Sequence, residues 1–214
     1  MRKFSVEEIE ELVEELNLED IENITNVFDG GDHYDEIFDY YQFCCNLAPK
    51  NGLWMEFGVY KARTLLEIAK YTTDTVYGFD SFEGLPEEWV KSSDRILPKG
   101  CFNDINIPDI LHKINGKNVC LVKGMFQDTL STFLSKNQET ASLIHIDCDL
   151  YSSTKYVLDT LVQHNRIVSG TIIMFDELIG YENFKTHEFK ALCEFTLPFD
   201  YIAKAKYQAA IRIF

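Results

Sequence analysis

Two apolar runs in this chain each stop at an acid. Leu53-Trp54-Met55 runs into Glu56 and then Phe57-Gly58-Val59, and Tyr77-Gly78-Phe79 runs into Asp80 and then Ser81-Phe82. Between them lies an amphipathic stretch carrying Leu65, Leu66, Ile68 and Ala69. A strand, a glycine turn, a helix and a second strand ending in an acid make a unit suited to hold a nucleoside. The acid accepts hydrogen bonds from ribose hydroxyls, and the glycine turn lets the ligand come close to the backbone. The charge of the turn selects the nucleoside. A dinucleotide carries a pyrophosphate, which wants several glycines and no carboxylate nearby. Here Glu56-Phe57-Gly58-Val59-Tyr60-Lys61-Ala62 has one glycine and one acid.

Glu56 repels a pyrophosphate and suits the cationic aminopropyl-sulfonium end of S-adenosylmethionine. The pattern predicts a methyl-donor site at Glu56, Gly58, Asp80 and Ser81, and it argues against an NAD-dependent oxidoreductase. Ligands of open α/β sheets sit beyond the carboxyl ends of the strands. Three further strand ends therefore join the candidate site. Lys123-Gly124-Met125-Phe126 offers Met125 and Phe126 to flank an adenine. Asp147-Cys148-Asp149 and Asp176-Glu177 bring four acids to one crevice. Carboxylates crowded together invite a cation or a shared proton. Asp147, Asp176 and Glu177 are the candidate oxygen ligands of Mg²⁺, an ion that lowers the pKa of a bound hydroxyl.

The elements that must position these residues alternate along the chain. Strands are expected at Leu53–Phe57, Thr75–Phe79, Asn118–Lys123, Ser142–Asp147 and Gly170–Phe175. Helices are expected at about Ala62–Tyr71, Pro108–Ile114, Thr129–Ser135, Thr154–His164 and Phe184–Phe195. Such alternation means a parallel sheet with helices on both faces. Phe199–Ala203 and Tyr207–Phe214 are joined by a link so short that they must form an antiparallel hairpin. The fold class is thus α/β, a Rossmann-like, mostly parallel methyltransferase sheet finished by a C-terminal antiparallel hairpin. Ahead of it stand two helices, one capped by Ser5 with Glu8 reaching back and a second over Asp35 to Leu47, broken by Pro49-Lys50-Asn51-Gly52. Residues 1–50 read as a helical extension that covers the acceptor, and 51–214 as the methyltransferase domain. Gly84-Leu85-Pro86 and Trp89 read either as a loop over the donor or as an apolar loop anchor. His187-Glu188 reads as a surface pair, and Ser152-Ser153-Thr154 as a helix cap.

Bulk composition narrows the partners. At 214 residues with 46% hydrophobic content the chain makes one globular α/β domain. A net charge of −15 repels phosphate backbones and anionic lipid, which excludes nucleic acid and membrane as partners. No apolar run has the length of a membrane span, and Met1-Arg2-Lys3-Phe4-Ser5 leads into acids rather than a leader core. Six cysteines without CxxC spacing are expected as buried, reduced thiols in a cytoplasmic protein.

Four blocks carry a resemblance. Met55-Glu56-Phe57-Gly58-Val59-Tyr60, Gly78-Phe79-Asp80-Ser81-Phe82-Glu83-Gly84-Leu85-Pro86, Lys123-Gly124-Met125-Phe126-Gln127-Asp128-Thr129-Leu130 and His145-Ile146-Asp147-Cys148-Asp149-Leu150-Tyr151-Ser152-Ser153-Thr154 resemble the macrocin O-methyltransferase family, in the family's order. The resemblance implies an S-adenosylmethionine- and Mg²⁺-dependent enzyme that methylates a hydroxyl of a small molecule, a sugar or glycosylated metabolite. It implies donor binding near Glu56, Gly58 and Asp80, and metal or base roles at Asp147, Asp176 and Glu177. Ala62 stands where a second glycine is expected. Glu177 replaces an Asp. Leu150 stands where catechol-type enzymes place a lysine, so the base falls to Asp147 or Asp149, or to His145 if it turns inward. A second subunit of a homo-oligomer is a further way to complete the acceptor pocket. The alternative from another class is a catalytically silent binding protein on the same fold.

Overall fold

The computed structural model describes residues 33–214. The helix expected behind Ser5 lies outside the described residues. The first described helix, α1 (His33–Leu47), ends before the Pro49–Gly52 break. The chain then alternates through β1 (Leu53–Phe57), α2 (Arg63–Ile68) and β2 (Val76–Asp80). A small hairpin, β3 (Trp89–Val90) and β4 (Ile96–Leu97), interrupts the alternation. It resumes with α3 (Ile107–Ile114), β5 (Val119–Lys123), α4 (Phe126–Lys136), β6 (Ala141–Ile146), α5 (Tyr151–Gln163) and β7 (Ile172–Phe175). A 3₁₀ turn at Phe184–Thr186, α6 (Glu188–Cys193), β8 (Phe199–Lys204) and β9 (Ala209–Ile213) complete it.

The seven-stranded sheet has the order β5-β2-β1-β6-β7-β9-β8. β5, β2, β1, β6 and β7 are parallel to their neighbours. β9 runs antiparallel to both β7 and β8, as the short link requires. Strand order reverses between β1 and β6, so the crevice for a ligand opens at the carboxyl ends of these two strands. All five residues of β1 and all six of β6 are buried, because helices cover both faces.

The two-residue period of the strands sorts their side chains between two cores. Trp54, Leu143, Ile172 and Met174 pack with Tyr40, Tyr41, Cys44 and Cys45 of α1 and Leu65 and Ile68 of α2. Met55, Phe57, Ile144, Ile146, Ile173 and Phe175 pack with Leu130 of α4, Leu158 of α5 and Phe189 of α6. Each fully buried apolar side chain contributes about 1.5–3 kcal/mol, so the central strands are the stable floor of the site.

Local differences from expectation have physical causes. The single expected helix over Phe184–Phe195 breaks at His187, whose φ of −118° and ψ of −122° are not helical. α5 starts ahead of Thr154 with Leu150 at its cap, and Ser152 bonds Glu87 at 2.5 Å instead of capping. Asp149 at φ 61° turns the chain into the helix there. The six cysteines stand as free thiols, yet not all are buried. β5 is an edge strand, which leaves Cys120 exposed.

Candidate active site

The turn after β1 is built around Asp80. Its Oδ2 accepts the backbone N–H groups of Val59 and Tyr60, both at 2.8 Å, and its Oδ1 accepts that of Phe82 at 2.7 Å. The carboxylate at the end of β2 therefore holds the glycine turn in shape. Each carboxylate oxygen has two lone pairs, so Oδ1 retains capacity for a ribose hydroxyl. Gly58 has φ 94°, and a Cβ there would overlap the Asp147 carbonyl oxygen. Its lack of a side chain thus serves the approach of β1 to β6, where Asp147 N–H bonds Phe57 O at 2.9 Å. Ala62, at the place of the expected second glycine, is fully buried in the left-handed region at φ 60° and caps α2.

A cleft opens above this turn. Gly58, Val59, Tyr60, Asp80 and Ser81 form one wall, and Gly124, Met125 and Phe126 at the start of α4 form another. Leu85, Pro86, Trp89 and Lys91 line it as well, and Leu85 and Trp89 anchor their loop in an apolar cluster with Leu150. Asp147, Asp149 and Glu177 reach the same cleft from the strand ends. Of the sequence-derived donor residues, five line the cleft. Glu56 does not: it is fully buried below the turn, on the α1 side of the sheet.

Glu56 lies opposite His145 in the β1–β6 register. Its Oε1 accepts the Thr64 hydroxyl at 2.5 Å and lies 3.9 Å from His145 Nδ1. Burial pushes the Glu56 pKa up, against lowering by His145 and Thr64. His145, fully buried on the same face, does not line the cleft; its Nε2 lies 3.0 Å from the Tyr41 hydroxyl. That hydroxyl donates to Asp176 Oδ1 at 3.3 Å, and Gln208 Nε2 donates to the same oxygen at 3.2 Å.

The acid cluster is larger than the sequence reading had it. Asp147, Asp149, Asp176 and Glu177 are joined by Glu188, which is fully buried and accepts the Glu177 N–H at 3.2 Å. The expected surface pair His187-Glu188 is thus buried. The β3–β4 hairpin folds over it, and His187 Nε2 lies 3.1 Å from the Val90 carbonyl. Burial, then Asp176, Asp149 and Glu56, raise the Asp147 pKa well above the usual carboxylate range. Burial, then Glu177 and Asp176, raise that of Asp149 to about 8, against the pull of Lys91. Burial also raises Glu177 and Glu188.

Lys91 enters this cluster from the hairpin. Its ammonium bonds Glu177 Oε1 at 2.6 Å and Oε2 at 2.5 Å, and it lies over the rings of Trp89, Tyr181 and Tyr207 at 4.6, 5.2 and 5.4 Å. Desolvated cation–π contacts of this kind are each worth about 1–2 kcal/mol. Sequence reasoning missed Lys91, Glu188, Tyr41 and Gln208. A lone lysine in a loop has no periodic signal, but the alternation of Leu143, His145 and Asp147 on one strand face was there to be read.

A mostly parallel sheet with an antiparallel edge, a nucleoside cleft at its switch point and acids beside that cleft define a class I S-adenosylmethionine-dependent methyltransferase. The model of the family described as macrocin O-methyltransferase (TylF) matches residues 50–206, and the chain belongs to that family of O-methyltransferases. Among solved structures, the calicheamicin methyltransferase CalS11 superposes with a TM-score of 0.68 at 24% identity, covering 98% of this chain and 93% of that one. The O-methyltransferase NovP superposes at 0.57 with 20% identity, covering 83% and 79%. An O-methyltransferase from Bacillus cereus in complex with SAH superposes at 0.50 with 11% identity, covering 95% and 96%. These likenesses bear on the fold. No curated protein sequence matches the chain.

Proposed function

We propose that this protein methylates a hydroxyl of a small-molecule acceptor, a sugar or glycosylated metabolite, with Asp149 or Asp147 taking the hydroxyl proton. The observation that carries the reading is the convergence of Asp147, Asp149 and Glu177 on the same cleft as Gly58, Asp80, Met125 and Phe126. S-adenosylmethionine supplies an activated methyl, which leaves its sulfonium as a thioether when the hydroxyl oxygen attacks. The protein's own residues do the rest. Asp80 holds the ribose, and Met125 and Phe126 bracket the base. In-line positioning of the acceptor supplies much of the rate. A base with a pKa of about 8 accepts a proton strongly once it is ionised, so its active carboxylate form grows as pH approaches 8. A sugar acceptor is supported by the structural neighbour CalS11, described as a TDP-rhamnose 3'-O-methyltransferase.

Mg²⁺ assistance is part of the same proposal, and two of its three residues fit. Asp147 carries no side-chain bond among the described residues, and both bonds to Asp176 fall on Oδ1, leaving Oδ2. Mg²⁺ is commonly held by one or two carboxylates with waters and substrate oxygens. Glu177 is engaged by Lys91 and joins only when that pair opens. Bound there, Mg²⁺ would make an acceptor hydroxyl more acidic. We place the enzyme in the cytoplasm on the strength of its free thiols. No helix among the described residues is long and apolar enough to cross a membrane.

The test is calorimetric titration of S-adenosylhomocysteine, followed by methyl transfer to sugar and glycoside acceptors with and without Mg²⁺. Micromolar binding and turnover are expected. Asp149→Asn should keep the binding and lose about 10²-fold or more in kcat. The wild-type rate should climb as pH passes about 8, since the base acts as its carboxylate. A folded protein that binds no S-adenosylhomocysteine would sink the reading in favour of a silent binding protein.

A further inference from the structure

We propose that Glu56, His145 and Asp147 form an inner site for a first-row divalent metal that accepts nitrogen, such as Mn²⁺, Fe²⁺, Co²⁺ or Zn²⁺. It is distinct from the Mg²⁺ position between Asp147 and Asp176. One potential ligand atom from each residue lies within 4.8 Å of the others. The fold makes the convergence rigid. Glu56 and His145 are paired across β1 and β6, and Asp147 follows His145 by two on the same face.

Two buried atoms ask for an occupant. Among the described residues, Glu56 Oε2 and His145 Nδ1 have no hydrogen-bond partner, although both residues are fully buried. Unpaired buried polar atoms cost about 1–3 kcal/mol each. The tautomer deepens the demand. Tyr41 has one hydroxyl proton and donates it to Asp176, so its oxygen accepts from His145 Nε2–H. In the neutral ring Nδ1 is then a bare lone pair, set 3.9 Å from a Glu56 oxygen, too far for a hydrogen bond. A lone pair facing a carboxylate in a buried space is repulsive unless a proton or a metal cation lies between them. A water would satisfy the lone pairs, whereas a divalent ion would also let both acids stand as carboxylates. A ligand histidine typically donates its other ring N–H to a fixing partner, and Tyr41 backed by Asp176 is such a partner. One imidazole with two carboxylates selects borderline ions over Mg²⁺, which prefers an all-oxygen shell. Asp147 lines the cleft and gives the ion its way in. A carboxylate has two oxygens, so Asp147 can serve this ion and the outer one together.

The inference needs neither donor nor acceptor and so stands apart from methyl transfer. The test uses the full chain, stripped with chelator and titrated with Mn²⁺ under electron paramagnetic resonance. Bound Mn²⁺ with ¹⁴N coupling from one imidazole is the expected result in the wild type. His145→Ala should remove that coupling and weaken Mn²⁺ by about tenfold or more, and Glu56→Gln should weaken it while retaining the coupling. Folded wild type that binds no Mn²⁺, or binds it without nitrogen coupling, overturns the site; the second result means that the ion sits at the all-oxygen position. S-adenosylhomocysteine titration of the same stripped wild-type protein reports the donor site separately.

Discussion

Asp80 shows how one side chain fixes the shape of the turn that lines the cleft. Three backbone N–H groups converge on its carboxylate, so the donor turn exists in its observed form only while that charge is present. Asp80→Asn should lower stability by about 2 kcal/mol, the scale of bonds to a charged acceptor, and weaken S-adenosylhomocysteine by about tenfold or more. Denaturant melts and calorimetry read the two effects, and unchanged affinity would remove Asp80 from the donor site. Ala62 raises the opposite question, since a glycine is the usual solution for φ 60°. A Cβ in the left-handed region costs about 1–2 kcal/mol. Against that, glycine forfeits about 0.8 kcal/mol of methyl burial and about 0.5–1 kcal/mol of chain entropy. The contributions nearly cancel, so Ala62→Gly should be neutral within about 1 kcal/mol. Ala62→Val, branched and strained at the same φ, should cost more than about 2 kcal/mol by urea denaturation.

At the scale of elements, the β3–β4 hairpin brings Trp89 and Lys91 to the cleft. Lys91 ties it to Glu177 with both ends largely desolvated, 9% and 15% exposed. Removing one partner of such a pair leaves an uncompensated charge, at about 3–5 kcal/mol. Lys91→Met should therefore destabilise the protein by about 3 kcal/mol, whereas Lys91→Met with Glu177→Gln should recover more than half of that loss. Thermal unfolding of the wild type and the variants completes the cycle, and additive effects would mean that the pair is not coupled. α1 is the second element that reaches the chemistry. It packs Tyr40, Tyr41, Cys44 and Cys45 into the core and sends the Tyr41 hydroxyl between His145 and Asp176. Helix α1 is thus tied to the acid cluster through Tyr41.

Over the whole molecule, the acid cluster makes stability depend on pH in a definite direction. Asp149 has a pKa of about 8 in the folded chain against an ordinary 3.8. Between those values the folded chain keeps a proton that the unfolded chain has released. Stability from this group is complete below the lower value, falls as pH rises through the window, and levels off above about 8. Burial shifts Asp147, Glu177 and Glu188 upward too, so their contributions run the same way. The melting temperature should accordingly decline between about pH 5 and about pH 8.5, and Asp149→Asn should flatten the decline. A melting temperature that rises over this range would show that the cluster is already compensated by a bound cation.

The sequence by itself determined the alternation of strands and helices, the antiparallel finish and the strand-end positions of Gly58, Asp80, Met125, Asp147, Asp149 and Asp176. Those features follow from local periodicity and from the rule that ligands collect at strand ends, and both are written in neighbouring residues. Boundaries such as the start of α5 and the break at His187 moved because a left-handed residue and a tertiary hydrogen bond decided them. Only the tertiary structure decided that Glu56 sits below the donor cleft opposite His145, that Tyr41 reaches Asp176 from α1, and that Lys91 neutralises Glu177. Each of these joins residues far apart in the chain. Their pairing depends on sheet register and hairpin packing, which no local pattern encodes.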